Sequence, residues 1–346
     1  MKDIGIDLGT ANVLIYVKDE GILLNEPSVI AIDTDTKEVL AVGEEANLML
    51  GRTPNKVKAI KPLKDGVIAD FEYSNKMLEE FIKKIKKKGS LKKSRVLICC
   101  PANITQVEKN AMYELAENMG ARKIYIEDEP KVAALGAGLD INKASGCMVI
   151  DIGGGTTDIA VLSLGSIVNS SSIKVAGNTF DQAIIDYIKN KYDLLVGEKT
   201  AEEIKLRLGA IKDIDKDNNM EIKGRSISEG MPKTITITEE EIKEALIPEI
   251  DKINDEIKKV LENTLPELSS DIVDKGIVIT GGGALIKGIA EYIEDDIKIP
   301  IFVAESPLTC VAEGCGILLE NPKELDKNCW LISTVLFYFI KSVLYN

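Results

Sequence analysis

Two short loops of an acidic residue followed by glycine and threonine carry the chemistry open to this chain. Asp7-Leu8-Gly9-Thr10 lies between the apolar runs Ile4–Ile6 and Val13–Val17. Asp151-Ile152-Gly153-Gly154-Gly155-Thr156-Thr157-Asp158 lies between Met148–Ile150 and Ile159–Leu164. Each reads as strand, D-x-G turn, strand. A tight turn of this kind leaves backbone N–H groups pointing outward, and such a nest binds phosphate. The carboxylate would repel a bare phosphate, so its natural partner is a hydrated Mg²⁺. One D-x-G hairpin is an ordinary turn, because Asp and Gly are turn residues anyway. Two of them in the same strand context suggest two lobes gripping one nucleotide from opposite sides. A third run, Ile277-Val278-Ile279-Thr280-Gly281-Gly282-Gly283-Ala284, predicts a strand entering a glycine turn and then a helix. Consecutive glycines let the backbone approach a flat ring such as adenine, although a plain strand-to-helix turn reads the same way.

Composition removes other chemistries. The chain has no histidine, which excludes His general bases, Ser-His-Asp and Cys-His catalysis and His-ligated metals. The six cysteines (Cys99, Cys100, Cys147, Cys310, Cys315 and Cys329) show no C-x-x-C spacing and several sit in apolar runs. They read as reduced residues of a cytosolic protein. No G-x-x-x-x-G-K-[ST] motif occurs, so this is not a P-loop protein. A net charge of −13 argues against general nucleic-acid binding. Met1-Lys2-Asp3-Ile4 leads straight into a strand, so no signal peptide is expected. At 346 residues, 45% apolar and 29% charged, the chain suits a two-domain soluble protein with ample core.

The elements that must position the loops alternate strands and helices, hence an α/β fold. Strand-like runs follow at Ser28–Ile32 and Val39–Val42, and the more polar stretch 44–72 reads as part of a small surface subdomain. Lys76–Lys88 is an amphipathic helix with Met77, Leu78, Phe81, Ile82 and Ile85 on one face. Val96–Cys100 and Ile124–Ile126 are strands, and Thr105-x-x-Glu108 is a capping box for the helix between them. Pro130 starts a helix of small residues. Further helices are expected over Phe180–Tyr192, from the capping box Thr200-x-x-Glu203, and from Thr238-x-x-Glu241, the last interrupted by Pro248 and ended near Pro266. Residues 212–237 look like a small β subdomain.

The three glycine segments, in this order, resemble the two phosphate motifs and the adenosine motif of the superfamily of actins, sugar kinases and heat-shock chaperone ATPases. Six segments narrow the likeness: Asp7–Asn12, Lys64–Phe71, Glu129–Leu139, Asp151–Gly165, Leu194–Lys205 and Pro307–Gly316. Together they resemble the MreB family of rod-shape-determining bacterial actins, from Asp3 to about Glu320. The resemblance implies an actin-like two-lobed ATPase fold of duplicated ribonuclease-H-like domains. Lobe one would span 1–145 with a small subdomain inserted at about 33–72. Lobe two would span 146–320 with one at about 182–250, and 321–346 would be a tail.

The same resemblance implies ATP and Mg²⁺ as cofactors and gives residues their roles. Gly9, Thr10, Ala11 and Asn12 would cradle phosphate from the first lobe, and Gly153, Gly154, Gly155, Thr156 and Thr157 from the second. Asp7 and Asp151 would hold the waters of Mg²⁺. Glu129 would orient the attacking water, with Asp128 the rival carboxylate. Glu202 and Lys205, three apart on a helix, would meet ribose or base opposite Gly281, Gly282 and Gly283, although the two also read as a plain surface ion pair. One departure stands near the chemistry: relatives usually place an apolar residue after the Glu-Pro pair, where this chain has Lys131. The favoured reading points it to solvent; the other has it tuning Glu129.

By the same likeness the protein would be a slow ATPase whose turnover controls its own assembly into filaments that direct cell shape. It would lie in the cytoplasm against the inner face of the membrane, with cell-shape membrane proteins as partners and no nucleic acid. Lys83–Arg95 holds eight basic residues and no acid, which suits anionic lipid as well as a solvated helix end. Cys329–Tyr345 is apolar but for Lys341 and short for a membrane span, so it reads as an interfacial anchor or a packing segment. The rivals are a chaperone-type ATPase, for which no peptide-binding domain is found, and a small-molecule kinase of the same fold, for which no second-substrate base is found.

Overall fold

The computed structural model describes residues 2–85, 94–321 and 325. Two five-stranded sheets form the two lobes, and they share one plan. In the first, Ile4–Leu8 is central; Asn12–Val17 is antiparallel to it and Gly21–Pro27 antiparallel to Asn12–Val17 in turn, and Arg95–Cys100 and Lys123–Asp128 run parallel on the other side. In the second, Cys147–Ile152 is central; Thr157–Ser163 is antiparallel to it and Ser166–Ile173 antiparallel to Thr157–Ser163 in turn, and Ile277–Thr280 and Ile301–Val303 run parallel on the other side. Asp7 and Asp151 therefore occupy equivalent places, near the carboxyl end of each central strand. Both central strands are buried along their whole length, as strands covered on both faces must be. Apart from Asp7 and Asp151 they are built from apolar residues and Gly5.

Helices cover the sheets. Phe71–Ile85 sinks Met77, Leu78, Phe81 and Ile82 into the first-lobe core. Gly177–Tyr192 sinks Phe180, Ile184 and Ile188 into the second. Smaller sheets stand at the rim. Ile30–Asp33 lies between Val39–Val42 and Val57–Ile60 on the first lobe, and Leu194–Leu195, Asn219–Ser226 and Pro232–Thr238 form a sheet on the second.

The lobes are joined by two crossing helices, Glu129–Gly136 and Cys310–Glu320. At the crossing the helix backbones touch: a Cβ on Gly136 would meet the Cys310 carbonyl, and one on Gly314 the Val132 carbonyl. Cys310–Glu320 also lies on the first-lobe sheet, where Gly5 abuts Cys315 and Gly316 abuts the Tyr16 ring. A third core cluster unites this joint with both sheets, from Leu97 and Cys99 to Val149 and Ala160.

Local signals fare unevenly. Thr105 caps Gln106–Asn118 with the reciprocal Glu108 contact, and Thr238 pairs with Glu241 in the same way. Thr200-x-x-Glu203 is not a cap: the helix begins at Glu198 behind Gly197, because Glu198 and Lys199 are themselves helix formers. Nor does Pro248 interrupt its helix, which runs unbroken over Glu239–Glu262. Proline costs that helix one N–H, while Leu246, Ile250, Ile253 and Ile257 hold it in the core. The glycine turn after Ile277–Thr280 becomes one 3₁₀ turn, Gly282–Leu285. The five described cysteines are buried and free. Among the described residues no helix is long and apolar enough to cross a membrane.

Candidate nucleotide site

The two D-x-G hairpins meet. Gly155 stands against the Thr10 hydroxyl, where a Cβ would come within 2.6 Å of Oγ1. Gly154 faces Ala11, where a Cβ would come within 2.7 Å of the Ala11 Cβ. Here glycine serves close approach of one lobe to the other. Each hairpin is fixed from behind. Ser28 Oγ donates to the Gly9 carbonyl (2.6 Å) and the Gly66 N–H donates to Thr10 Oγ1 (2.8 Å). On the other side, the N–H groups of Gly177 and Asn178 donate to the Gly153 and Gly154 carbonyls (3.1 and 2.8 Å). That ties the second hairpin to the start of the Gly177–Tyr192 helix.

Beside this contact opens a cavity of about 470 Å³. Its walls carry Asp7, Gly9–Asn12, Glu129, Asp151, Gly153–Thr156, Glu202, Lys205 and Gly281–Gly283. Thr157 is not among them: it is fully buried and its hydroxyl donates to the Val175 carbonyl at 2.6 Å, so it braces the hairpin from inside. Of the two rival carboxylates, Glu129 faces the cavity, whereas Asp128 points outward to Lys109 at 3.5 Å. Gly281 and Gly283 are required by packing on Ile152, which leaves Gly282 as the open glycine of that wall. Lys205 does not pair with Glu202. Its ammonium lies 2.8 Å from Asp181 and donates to the Gly177 carbonyl at 3.1 Å.

Lys131 does not point to solvent. It is 5% exposed, and its Nζ donates to Glu127 Oε2 at 2.9 Å. Glu127 is a buried residue of its strand and Lys131 lies four positions later on the next helix, so the pair brackets Glu129 along the chain. Sequence reading also passed over Asp158 and Asp181. Asp158, last of the G-G-G-T-T-D run, is buried and opposes Asp151 across the strand pair.

The electrostatics of the cavity are one-sided. Burial pushes the Asp7 carboxyl up to about 7. Asp151 is raised well above the usual carboxylate range, first by burial and then by the charges of Asp158 and Asp7. Glu129 is raised likewise, by burial and then by Asp151, Asp7 and Asp158. Buried like charges of this kind call for a cation. Among the described residues no three such side chains converge to chelate a metal directly. The donor set therefore fits an ion held mainly by phosphate oxygens and waters, with carboxylates in its outer layer.

The comparisons place this site in a family. The family described as MreB/Mbl protein matches residues 1–327. The chain belongs to the MreB/Mbl family. The cell shape-determining protein Mbl of Bacillus subtilis is 55% identical over 94% of this chain and 98% of its own. The cell shape-determining protein MreB of Escherichia coli K12 is 49% identical over 92% and 93%. Among solved structures, MreB5 of Spiroplasma citri bound to AMPPNP superposes with a TM-score of 0.90 at 43% identity, covering 94% of this chain and 98% of that one. A MamK double helical filament subunit, at 22% identity and a TM-score of 0.78, shares the actin-like fold. MreB/Mbl membership accounts for the paired sheets and the shared cleft.

Proposed function

We propose that this chain is an ATP-binding bacterial actin that assembles into membrane-associated filaments directing cell shape, with slow ATP hydrolysis controlling assembly. The observation that carries the reading is the meeting of the two hairpins beside one cavity that also holds Asp7, Asp151 and Glu129. The MreB/Mbl relatives and the AMPPNP-bound MreB5 structure support it.

In this reading the N–H groups of Gly9–Asn12 and Gly153–Thr156 bind the phosphates from opposite lobes. Asp7 and Asp151 would hold a hydrated Mg²⁺, which would supply positive charge against the phosphates and favour the ionised forms of Asp7, Asp151 and Glu129. Glu129 orients a water toward the terminal phosphorus. As the new P–O bond forms, the bond to the bridging oxygen breaks and the proton of the water passes to the Glu129 carboxylate. Phosphoryl transfer needs mostly positioning and charge neutralisation, which this set supplies. Gly281–Gly283 and Glu202 flank the nucleoside.

Self-association is the first partner in this reading, and the anionic inner face of the membrane the second, along with cell-shape membrane proteins. The described cations of the basic strip are each engaged: Lys83 with Glu80, Lys84 with Glu26 and Arg95 with Asp3. The rest of that strip, and the apolar segment 329–345, lie outside the described residues. Sedimentation with Mg-ATP, with and without anionic vesicles, tests the whole reading beside electron microscopy and phosphate release. Nucleotide-dependent filaments are the expected result. A monomer under every nucleotide and lipid condition would shift the reading to a non-polymerising ATPase. Unchanged vesicle binding after deletion of residues 329–346 would remove the tail from the membrane contact.

A further inference from the structure

The joint between the lobes holds two thiols that the roles above do not use. Cys99 lies on Arg95–Cys100 and Cys315 on Cys310–Glu320, and their Sγ atoms are 3.2 Å apart. Strand alternation and a glycine bring them together. Leu97 and Cys99 face the joint, whereas Cys100 faces the first-lobe core and its thiol donates to the Glu127 carbonyl. Cys315 rests on Gly5, where any Cβ would come within 2.3 Å of the Cys315 Cβ. Among the described cysteines these are the two whose sulfurs meet: Cys147 donates to the Leu162 carbonyl and Cys310 to that of Ser306. A disulfide needs its sulfurs at about 2.05 Å, so the pair has only about 1 Å to close. Both thiols are covered, Cys99 at 2% and Cys315 at 0% exposure. The Cys315 contact and burial push the Cys99 thiol up, which keeps it protonated and slow to react while it is covered.

Part of the cover is the cavity wall. Cys99 stands beside Asp7 in strand register, and Val311, one turn before Cys315, lines the cavity with Asp7. An oxidant in the empty cavity is thus one layer of residues from the pair, and a ligand there stands in its way. The helix that carries Cys315 serves both lobes: Cys310 meets Gly136 at the crossing, and Gly316 meets Tyr16 on the first-lobe sheet. Any change in the angle between the lobes has to move this helix against one sheet or the other.

We propose that Cys99 and Cys315 form a redox lock on the joint: peroxide joins them in a disulfide that pins the crossing helix to the first-lobe sheet, and a nucleotide in the cavity shields them. One thiolate attacks a peroxide oxygen; the O–O bond breaks, the sulfur becomes a sulfenic acid and the first water leaves. The other thiol attacks that sulfur, the S–O bond breaks and the second water leaves. Two thiols and one hydrogen peroxide give one disulfide and two waters, and a thiol reductant reverses the change. The shielding rests on the nucleotide reading of the cavity and the effect on assembly on the filament reading; the disulfide rests on neither.

The test exposes the reduced, nucleotide-free full chain to hydrogen peroxide, alkylates the remaining thiols and maps the peptides by mass spectrometry. Two of the six thiols should be lost, in a Cys99–Cys315 cross-link that dithiothreitol reverses. Cys100→Ala should form it at the wild-type rate, and Cys99→Ala and Cys315→Ala should not form it. Saturating Mg-AMPPNP should slow it several-fold. Nucleotide-dependent sedimentation should fall several-fold in the oxidised chain and return with dithiothreitol, and should resist peroxide in Cys315→Ala. Thiols that all remain alkylatable, separate sulfinic acids, or a bridge through Cys100, Cys310 or Cys329 would each overturn the proposal. An equal rate in a chain shown to bind Mg-AMPPNP would overturn the shielding, and full sedimentation of the oxidised chain would overturn the lock. A reduced chain that binds no Mg-AMPPNP, or never sediments, overturns the parent readings instead and leaves the cross-link to be judged by the peptide map alone.

Discussion

Replacing Lys131 by methionine tests whether the pair that brackets Glu129 fixes the site or only spans it. Both partners are buried, with 6% of each side chain exposed, and the ion contact is 2.9 Å. Taking two charges from water costs several kcal/mol, and their attraction offsets this only while both remain. Lys131→Met leaves the buried Glu127 without its cation. Breaking such a pair costs about 3–5 kcal/mol, and Glu127 engages other groups as well, so the lower figure applies. About 3 kcal/mol lowers Tm by roughly 5 °C in a chain of this size. The assay is thermal unfolding of nucleotide-free protein by circular dichroism, beside phosphate release at saturating Mg-ATP. Glu127→Gln/Lys131→Met should recover most of the stability, because a neutral pair removes the stranded charge. Phosphate release should fall in Lys131→Met and recover in the double variant, since both residues flank the turn that presents Glu129. Wild-type stability in Lys131→Met would show that the ammonium reaches water and would refute the buried pair. Lost stability with unchanged phosphate release would leave the pair structural and refute its hold on Glu129.

Three further outcomes follow. Glu129→Gln should cut phosphate release by roughly 10²–10⁴ while nucleotide binding persists; wild-type release would move the role to another group. Gly314→Ala should cost about 1–3 kcal/mol in urea unfolding, because its methyl group would enter the Val132 carbonyl at the helix crossing; an unchanged midpoint would show that the joint yields freely. Because the folded Asp7 carboxyl is raised to about 7 from 3.8, the nucleotide-free fold binds an extra proton in that window, so its contribution to stability is lost as pH rises through it. Nucleotide-free protein should thus lose Tm as pH rises from about 4 to 7, Asp7→Asn should lose less, and Mg-ATP binding at pH 7 should release protons. Proton uptake in calorimetry across buffers of different ionisation enthalpy would refute this.

The central strands and the hairpins were legible because their signals are local: an apolar run, an acid, a glycine and a second apolar run are contiguous in sequence. The helix expected over Lys76–Lys88 was legible by its period, which marked Met77, Leu78, Phe81 and Ile82, now buried, and Ile85, half-buried, although the helix begins five residues earlier, at Phe71. Some failures are local, as at Thr200 and Pro248; those at the site are tertiary. Lys131 reads as a solvent residue until the strand before it turns Glu127 inward and the helix after it brings the ammonium over that carboxylate. Thr157 reads as a phosphate ligand with its neighbours, yet strand alternation directs it toward Val175. The partner of Lys205 lies 24 positions away on another helix, and no spacing rule reaches from one helix to the next. The glycines were found by type but not by reason. Gly154 and Gly155 let two lobes touch, and Gly281 and Gly283 let a turn lie on Ile152.

That last distinction bears on the proposed coupling between nucleotide and assembly. The hairpins touch at Thr10–Gly155 and Ala11–Gly154, and the lobes also join where Gly136 and Gly314 let two helix backbones meet. Glu129 begins one of those helices. Anything bound between the hairpins thus lies between the joint and the open mouth, where Lys61 reaches Glu198 and Lys174 reaches Asp65 from opposite lobes at 3.3 Å. Those two bridges are largely solvated and each contributes on the order of 1 kcal/mol or less, too little to hold the mouth shut alone. Three buried acids, Asp7, Asp151 and Asp158, and the half-buried Glu129 stand near the same contact. In the proposed reading, a cation and phosphates bound at that point would neutralise acids of both lobes at once. Loss of the terminal phosphate would then act where the two lobes meet rather than on either one, which is the coupling the proposed filament subunit requires if turnover is to alter its contacts with its neighbours.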